Sequence, residues 1–258
     1  MIGIDFSIGS AIVSTCAKIG GELMSAVGAF AKDLVTGPIP GITPSITNIV
    51  LGKILTLVID AIIAVADALT EKPKEETPEE IGLKAEMADK KPEDFDSTND
   101  YIEYLRNDIK VDEERLKEMD EKERATYAAI GAGLYVKQVE EKYNVELPPE
   151  FWHSTADLRN EGKISEEMPN DLIEFMKEHG IESGATFSDY LSGKLGIGSE
   201  DQKKMYDALK DTYRKEYPDA TDSELNSKIN TGCKLEEVRT RKSLLKKSTA
   251  PSHYSNFQ

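Results

Sequence analysis

The sequence predicts an all-α protein with an N-terminal apolar helical hairpin, an acidic linker and a C-terminal bundle of short helices. Three observations support this fold class. Apolar residues recur at the three- and four-residue steps of a helix, no segment alternates as a β-strand does, and helix-start and helix-stop signals follow one another closely. We therefore divide the chain into an apolar hairpin (1–70), an acidic Pro/Glu/Lys linker (71–97), an acidic helical domain (98–237) and a basic flexible tail (238–258).

Charge is distributed unevenly along the chain. The 258 residues carry 32 Lys and Arg against 48 Asp and Glu, a net charge of −16. Residues 1–70 hold only three basic and five acidic side chains. Nucleic acid is not an expected partner, because phosphate binding needs clustered Lys and Arg. Cys16 and Cys233 are too few and too far apart for a disulfide framework or a cysteine-rich zinc module.

The first arm of the hairpin is predicted from apolar residues at helical spacing. These residues are Ile8, Ile12, Ile19, Leu23, Val27, Phe30 and Leu34. The stretch 37–44 contains three prolines and two glycines, so a helix cannot continue through it. Ser45 or Thr47 is the expected start of the second arm, which should run to about Thr70.

The second arm is long enough to cross a membrane, but charged residues interrupt it. Lys53, Asp60 and Asp67 lie seven residues apart and form one narrow polar stripe with Thr56. An Asp near the centre of a lone membrane span costs about 2.5–3.5 kcal/mol. We therefore expect a helix buried on most sides, with one polar strip exposed or paired. It would pack on the first arm, on copies of itself or on a partner.

The N-terminus does not resemble a secretory signal peptide. The first basic residue is Lys18, so no positively charged region precedes the apolar stretch 6–17. The expected location is the cytoplasm, or outside the cell after export without a classical signal peptide. Peripheral association with a membrane is a further option. In a reducing compartment both cysteines would be free thiols.

The linker is rich in Glu, Lys and Pro and poor in large apolar residues, so it is not expected to bury much surface. Within it, Ile81, Leu83 and Met87 are spaced to form a short docking helix.

At the other end of the chain, the tail carries five basic residues and no acidic one. They are Arg239, Arg241, Lys242, Lys246 and Lys247. The tail is expected to touch the acidic domain, or to dock on an anionic partner or lipid surface.

Helix boundaries in the acidic domain are predicted from caps, prolines and glycines. Ser97 or Thr98 should start one helix, and Asp112 should start a longer one that stops at Asn144. Later helices are expected around Phe151 and Trp152, from Ser165 to His179 with Gly180 after it, and from Thr186, Ser199 and Thr221. Small residues permit close packing of the long helix against a neighbour. They are Ala128, Ala129, Gly131, Ala132 and Gly133.

The stretch 157–168 resembles a degenerate EF-hand loop, which binds calcium between two helices. The matching positions are Asp157, Glu161, Gly162 at the sharp turn and Ile164. Arg159 and Met168 stand where two oxygen ligands belong, and calcium needs six to eight oxygens. We therefore interpret the stretch as a helix–turn–helix with glycine at the turn. No metal site and no cofactor is predicted.

The three histidines, His153, His179 and His253, have no metal-ligand spacing, and no cysteine lies near them in sequence. No nucleophile elbow, phosphate-binding glycine loop or dinucleotide fingerprint is present in the sequence. A triad assembled in space from His153 or His179 with a Ser and an Asp stays open. No catalytic residue is predicted, and the expectation is that the protein is not an enzyme.

Three hypotheses of function remain, and a helical enzyme with an unrecognisable site is the third. The first is a non-enzymatic helical interaction or assembly protein, whose hairpin (1–70) docks on itself or on a protein partner. A large contiguous apolar surface usually marks an interface. The second is a membrane-active protein. A Gly/Ala-rich apolar hairpin joined to a soluble helical body is similar in composition to the heads of some bacterial secreted effectors and toxins, which implies a chaperone-covered hairpin.

Overall fold

The computed structural model describes the backbone of residues 44–68, 76–111 and 113–232. Side chains are described in the same ranges except at 44–55, 113 and 121–122. Within these ranges the chain forms ten α-helices and one 3₁₀ turn, and its only β-type pairing is a single backbone bridge. The all-α prediction is confirmed for this part of the chain. The first arm of the hairpin and the basic tail lie outside the described residues.

The helices follow one another with short connections. They are α1 (Pro44–Ala68), α2 (Pro78–Met87), α3 (Thr98–Asp108), α4 (Glu113–Glu118), α5 (Glu121–Tyr143), α6 (Pro149–Asn160), α7 (Met168–Glu178), α8 (Ala185–Leu191), α9 (Glu200–Glu216) and α10 (Asp222–Gly232). The 3₁₀ turn, Pro92–Asp94, lies between α2 and α3. Helices α1, α2, α3 and α7 all contact α5, and α7, α8 and α10 all contact α9. One hydrophobic core, which extends from Val58 to Ile229, joins the two groups.

Three helix starts are confirmed by their capping hydrogen bonds. The hydroxyls of Ser97, Ser199 and Thr221 each accept a hydrogen bond from the backbone N–H three residues later, at 3.1, 3.2 and 3.3 Å. Such side chains satisfy backbone donors that the first turn of a helix leaves without a partner. These boundaries were predictable because both partners of each hydrogen bond lie within four residues of sequence.

A second cap, from a distant part of the sequence, also holds the start of α3. The backbone N–H and the hydroxyl of Thr98 both donate to the carboxylate of Glu141 on α5, at 2.9 and 2.5 Å. Beside this contact, the side-chain amide of Gln138 donates to the amide oxygen of Asn99 at 2.7 Å. The first turn of α3 is therefore held by α5 as well as by Ser97.

The single long helix expected from Asp112 to Asn144 is wrong, because the chain forms α4 and α5 instead. Asp120 caps α5 by accepting from the backbone N–H of Glu123 at 2.8 Å, and the carboxylate of Glu123 accepts from the N–H of Asp120 at 3.2 Å. This reciprocal capping box starts a new helix where the pattern suggested continuity. The predicted stop is confirmed, since Asn144 has a left-handed backbone with φ of 53°.

Two other starts are wrong by one to three residues. The helix expected from Ser165 begins at Met168, because Pro169 has no N–H and fits only within the first turn. The helix expected from Thr186 begins at Ala185, after Gly184, whose N–H donates to the carbonyl of Glu146 at 2.7 Å. The predicted stop at Gly180 is confirmed by its φ of +69°.

The short docking helix expected within 71–97 is α2, and it belongs to the core. A capping box between Thr77 and Glu80 starts it. Ile81 and Leu83 are at most 3% exposed, whereas Met87 is 51% exposed. Glu and Lys outnumber apolar residues in this segment, so its overall composition did not predict that one face of the helix is buried. The division of the chain into domains stays a prediction.

Helices α2 and α5 cross in backbone contact at two glycines. A Cβ atom at Gly82 would lie 2.0 Å from the carbonyl oxygen of Tyr127, and a Cβ at Gly131 would lie 2.1 Å from that of Pro78. Real Cβ atoms do not approach other atoms so closely, and a backbone carbonyl cannot rotate away as a side chain can. The close packing predicted from the small residues of α5 is therefore confirmed, and its partner is α2.

We predict that Gly131→Ala lowers the free energy of unfolding by about 3 kcal/mol, at the upper end for overpacked cores. The added methyl group must push α2 away from α5, although alanine is the better helix former by about 1 kcal/mol. Urea denaturation followed by circular dichroism measures the change. The matched control is Gly196→Ala, whose Cβ would lie 3.7 Å from its nearest neighbour. Equal stability of the two variants would show that the crossing tolerates a side chain.

Candidate functional site

The candidate site is the place where α1 is fixed to the rest of the chain, which we name the α1 anchor. Its apolar part consists of residues at helical spacing that are at most 1% exposed. They are Val58, Ala61, Ile62, Val65 and Ala66. Helix α1 contacts α5, α6 and α7. The C-terminal half of the predicted second arm is therefore covered by helices of the same chain.

The polar stripe of the second arm is divided between two environments. Asp60 is exposed, and neighbouring protein atoms that displace water raise its pKa above the ordinary value. The positive charge of Arg159 on α6 opposes this rise, and the negative charge of Glu79 on α2 adds to it. Asp67 is half-buried, and its negative charge acts on Tyr135 of α5. The side chain of Lys53 lies outside the described residues.

Charged side chains converge at the entry to α2. One carboxylate oxygen of Glu76 pairs with the ammonium group of Lys84, and the other lies 3.5 Å from Nε of Arg106. Lys84 is only 7% exposed, and its ammonium group also donates to the carbonyl oxygen of Arg106 at 3.4 Å. Arg106 makes a second ion pair with Glu103 at 2.7 Å. Glu76 therefore joins α2 to α3.

Tyr135 on α5 interacts electrostatically with Arg106 and Glu76 of this group, and its side chain is fully buried. Burial raises the pKa of Tyr135 to about 12, while the positive charge of Arg106 opposes this rise. The negative charges of Asp67 and Glu76 also raise this pKa. The phenol therefore stays neutral at neutral pH. We name Asp67, Glu76, Lys84, Arg106 and Tyr135 the polar junction of the α1 anchor.

The polar junction was not predicted from the sequence. Its five residues come from α1, the entry to α2, α2 itself, α3 and α5, so no spacing rule connects them. The one local signal was the capping box between Thr77 and Glu80, which marks a helix start inside the segment interpreted as a linker. That signal places Lys84 on a helix, although it does not show that Lys84 is buried.

The two described histidines each lie beside a carboxylate. Nδ1 of His153 is 3.4 Å from an oxygen of Asp157, one turn further along α6. Nε2 of His179, at the end of α7, is 2.8 Å from an oxygen of Asp211 on α9. Both members of the second pair are partly exposed, so its contribution to stability is small. His179–Asp211 joins two helices, and His253 lies outside the described residues.

The turn that resembles an EF-hand loop lies between α6 and α7. Gly162 has φ of +66°, and the N–H of Lys163 donates to the carbonyl of Leu158 at 2.9 Å, a pattern that ends a helix. The ammonium group of Lys163 pairs with Glu161 at 2.7 Å. Arg159, which stands at a ligand position, lies 3.4 Å from Glu166. The carboxylates of this turn thus have cations of the same turn as neighbours. The interpretation as a helix–turn–helix with glycine at the turn agrees with this geometry.

Two features are absent from the described residues. In the described ranges no cluster of three or more His, Cys, Asp or Glu side chains is arranged to hold a metal ion. No helix of those ranges combines the length and the apolar character that a membrane span requires.

Comparisons with protein-family models, with curated proteins and with solved structures found no match to this chain.

We predict that Glu76→Gln lowers the free energy of unfolding by about 1–3 kcal/mol. The substitution leaves the ammonium group of Lys84 largely buried without a carboxylate. The control is Glu103→Gln, which removes the other carboxylate of Arg106 from a side chain that is 48% exposed, and it should cost about 0–1 kcal/mol. Urea denaturation of both variants measures the two changes in the free energy of unfolding. A larger loss for Glu103→Gln would contradict the central role of Glu76.

We also predict that the full-length protein loses stability as the pH rises from about 10 to about 12. The unfolded chain releases the proton of Tyr135 near pH 10, whereas the folded chain holds it to about 12. Stability from this group is therefore complete below pH 10 and decreases above it, by up to about 2–3 kcal/mol. The variant Tyr135→Phe should therefore lose less stability over this pH range, by the contribution of Tyr135. Part of the loss should remain in the variant, because the pKa of Tyr127 is also raised to about 12. Denaturation at pH values from about 8 to 11.5 measures the slopes, and identical slopes would refute the prediction.

Proposed function

We propose that this protein is a non-enzymatic helical interaction or assembly protein, in which the apolar sequence before residue 56 docks on a second copy or on a protein partner. The observation that supports the proposal is the position of the α1 anchor within α1. Among the residues of α1 whose side chains are described (56–68), the buried ones run from Val58 to Ala66, in the C-terminal half of a helix that begins at Pro44. The anchor thus fixes one end of the apolar region to the folded helices.

The apolar sequence N-terminal to the anchor is the part that would dock. Residues 1–55 contain only six charged side chains. They are Asp5, Lys18, Glu22, Lys32, Asp33 and Lys53. A contiguous apolar surface of such a sequence would exceed what isolated soluble chains normally expose. Docking on another polypeptide would remove that surface from water.

The surface of the described residues exposes few large apolar side chains that could serve as an alternative docking site. In the ranges that the structure describes, the exposed large hydrophobic side chains are Met87, Ile197 and Tyr217. They lie at the end of α2, in the connection between α8 and α9, and just after α9. Single exposed apolar residues on separate elements are normal for a soluble surface. This distribution favours the N-terminal region over the acidic domain as the interacting part.

We predict that removal of residues 1–43 reduces the association state. This deletion leaves all of α1 in place, whereas a deletion to residue 95 would remove the apolar anchor and α2. Sedimentation velocity should show an oligomer, or a complex with a co-purified protein, for the full chain and a monomer for the shortened chain. Thermal unfolding followed by circular dichroism checks that the helical domain stays folded.

A point variant provides a finer test of the same proposal. Val27→Glu places a charge on the apolar stripe of the first arm and should weaken association at least tenfold. The matched control is Ser25→Glu, two residues away and off that stripe, which should leave association unchanged. The proposal fails if the full chain is a monomer and if copurification at native expression level recovers no protein that depends on residues 1–43. Equal effects of the two variants would also contradict docking through the stripe.

Flotation with anionic phospholipid vesicles separates the proposal from the membrane-active alternative. If the full chain floats with the vesicles and the chain lacking residues 1–43 does not, a membrane-active effector or toxin-like protein is the better description. If neither floats and the full chain associates in solution, the assembly proposal gains.

A further inference from the structure

We draw no further inference here: the strongest candidate, the acidic surface patch at the turn between α6 and α7, is a cluster of carboxylates whose neighbouring cations belong to the same turn, and nothing in the structure shows what covers it, although the end of α10 lies nearby, where Gly232 contacts Tyr213 and Tyr213 donates a hydrogen bond to the carbonyl of Lys163.

Discussion

The contact between the backbones of α2 and α5 is the constraint on which the rest of the described structure depends. It is possible because glycine stands on both helices at the crossing, at Gly82 and Gly131. With α2 this close, Ile81 is fully buried and Lys84 is nearly so. The burial of Lys84 in turn requires a carboxylate beside it, and Glu76 supplies one. A steric property of two residues thus determines where the polar junction forms.

The α1 anchor combines two kinds of interaction with different roles. Its apolar residues supply most of the stabilisation, since burial of a valine or isoleucine side chain is worth about 1.5–3 kcal/mol. The polar junction adds direction, because ion pairs and hydrogen bonds work only at defined distances and angles. Glu76 contacts cations of both α2 and α3, so it fixes the position of the entry to α2 relative to α3. A purely apolar contact would leave that position less defined.

Most local signals predicted helix boundaries correctly, whereas the non-local contacts were not predicted. The caps at Ser97, Ser199 and Thr221, and the stops at Asn144 and Gly180, depend on neighbours within a few residues. The break before α5 was missed although its capping box is also local, because the apolar spacing across it suggested one helix. The contact of Glu141 with Thr98 joins residues 43 positions apart, and the polar junction joins five segments, so neither has a sequence pattern. The segment 71–97 was interpreted as a linker because its composition averages over all of α2, although only one face of this helix is apolar.

The order of synthesis gives the α1 anchor an additional consequence. Helix α1 ends at Ala68, whereas the first helix that covers it, α5, is complete only at Tyr143. A ribosome that adds about 5–20 residues per second needs roughly 4–15 s to make the intervening stretch. Throughout that interval no complete helix made after α1 covers its apolar face. The apolar face of α1 is therefore open to other polypeptides well before translation ends.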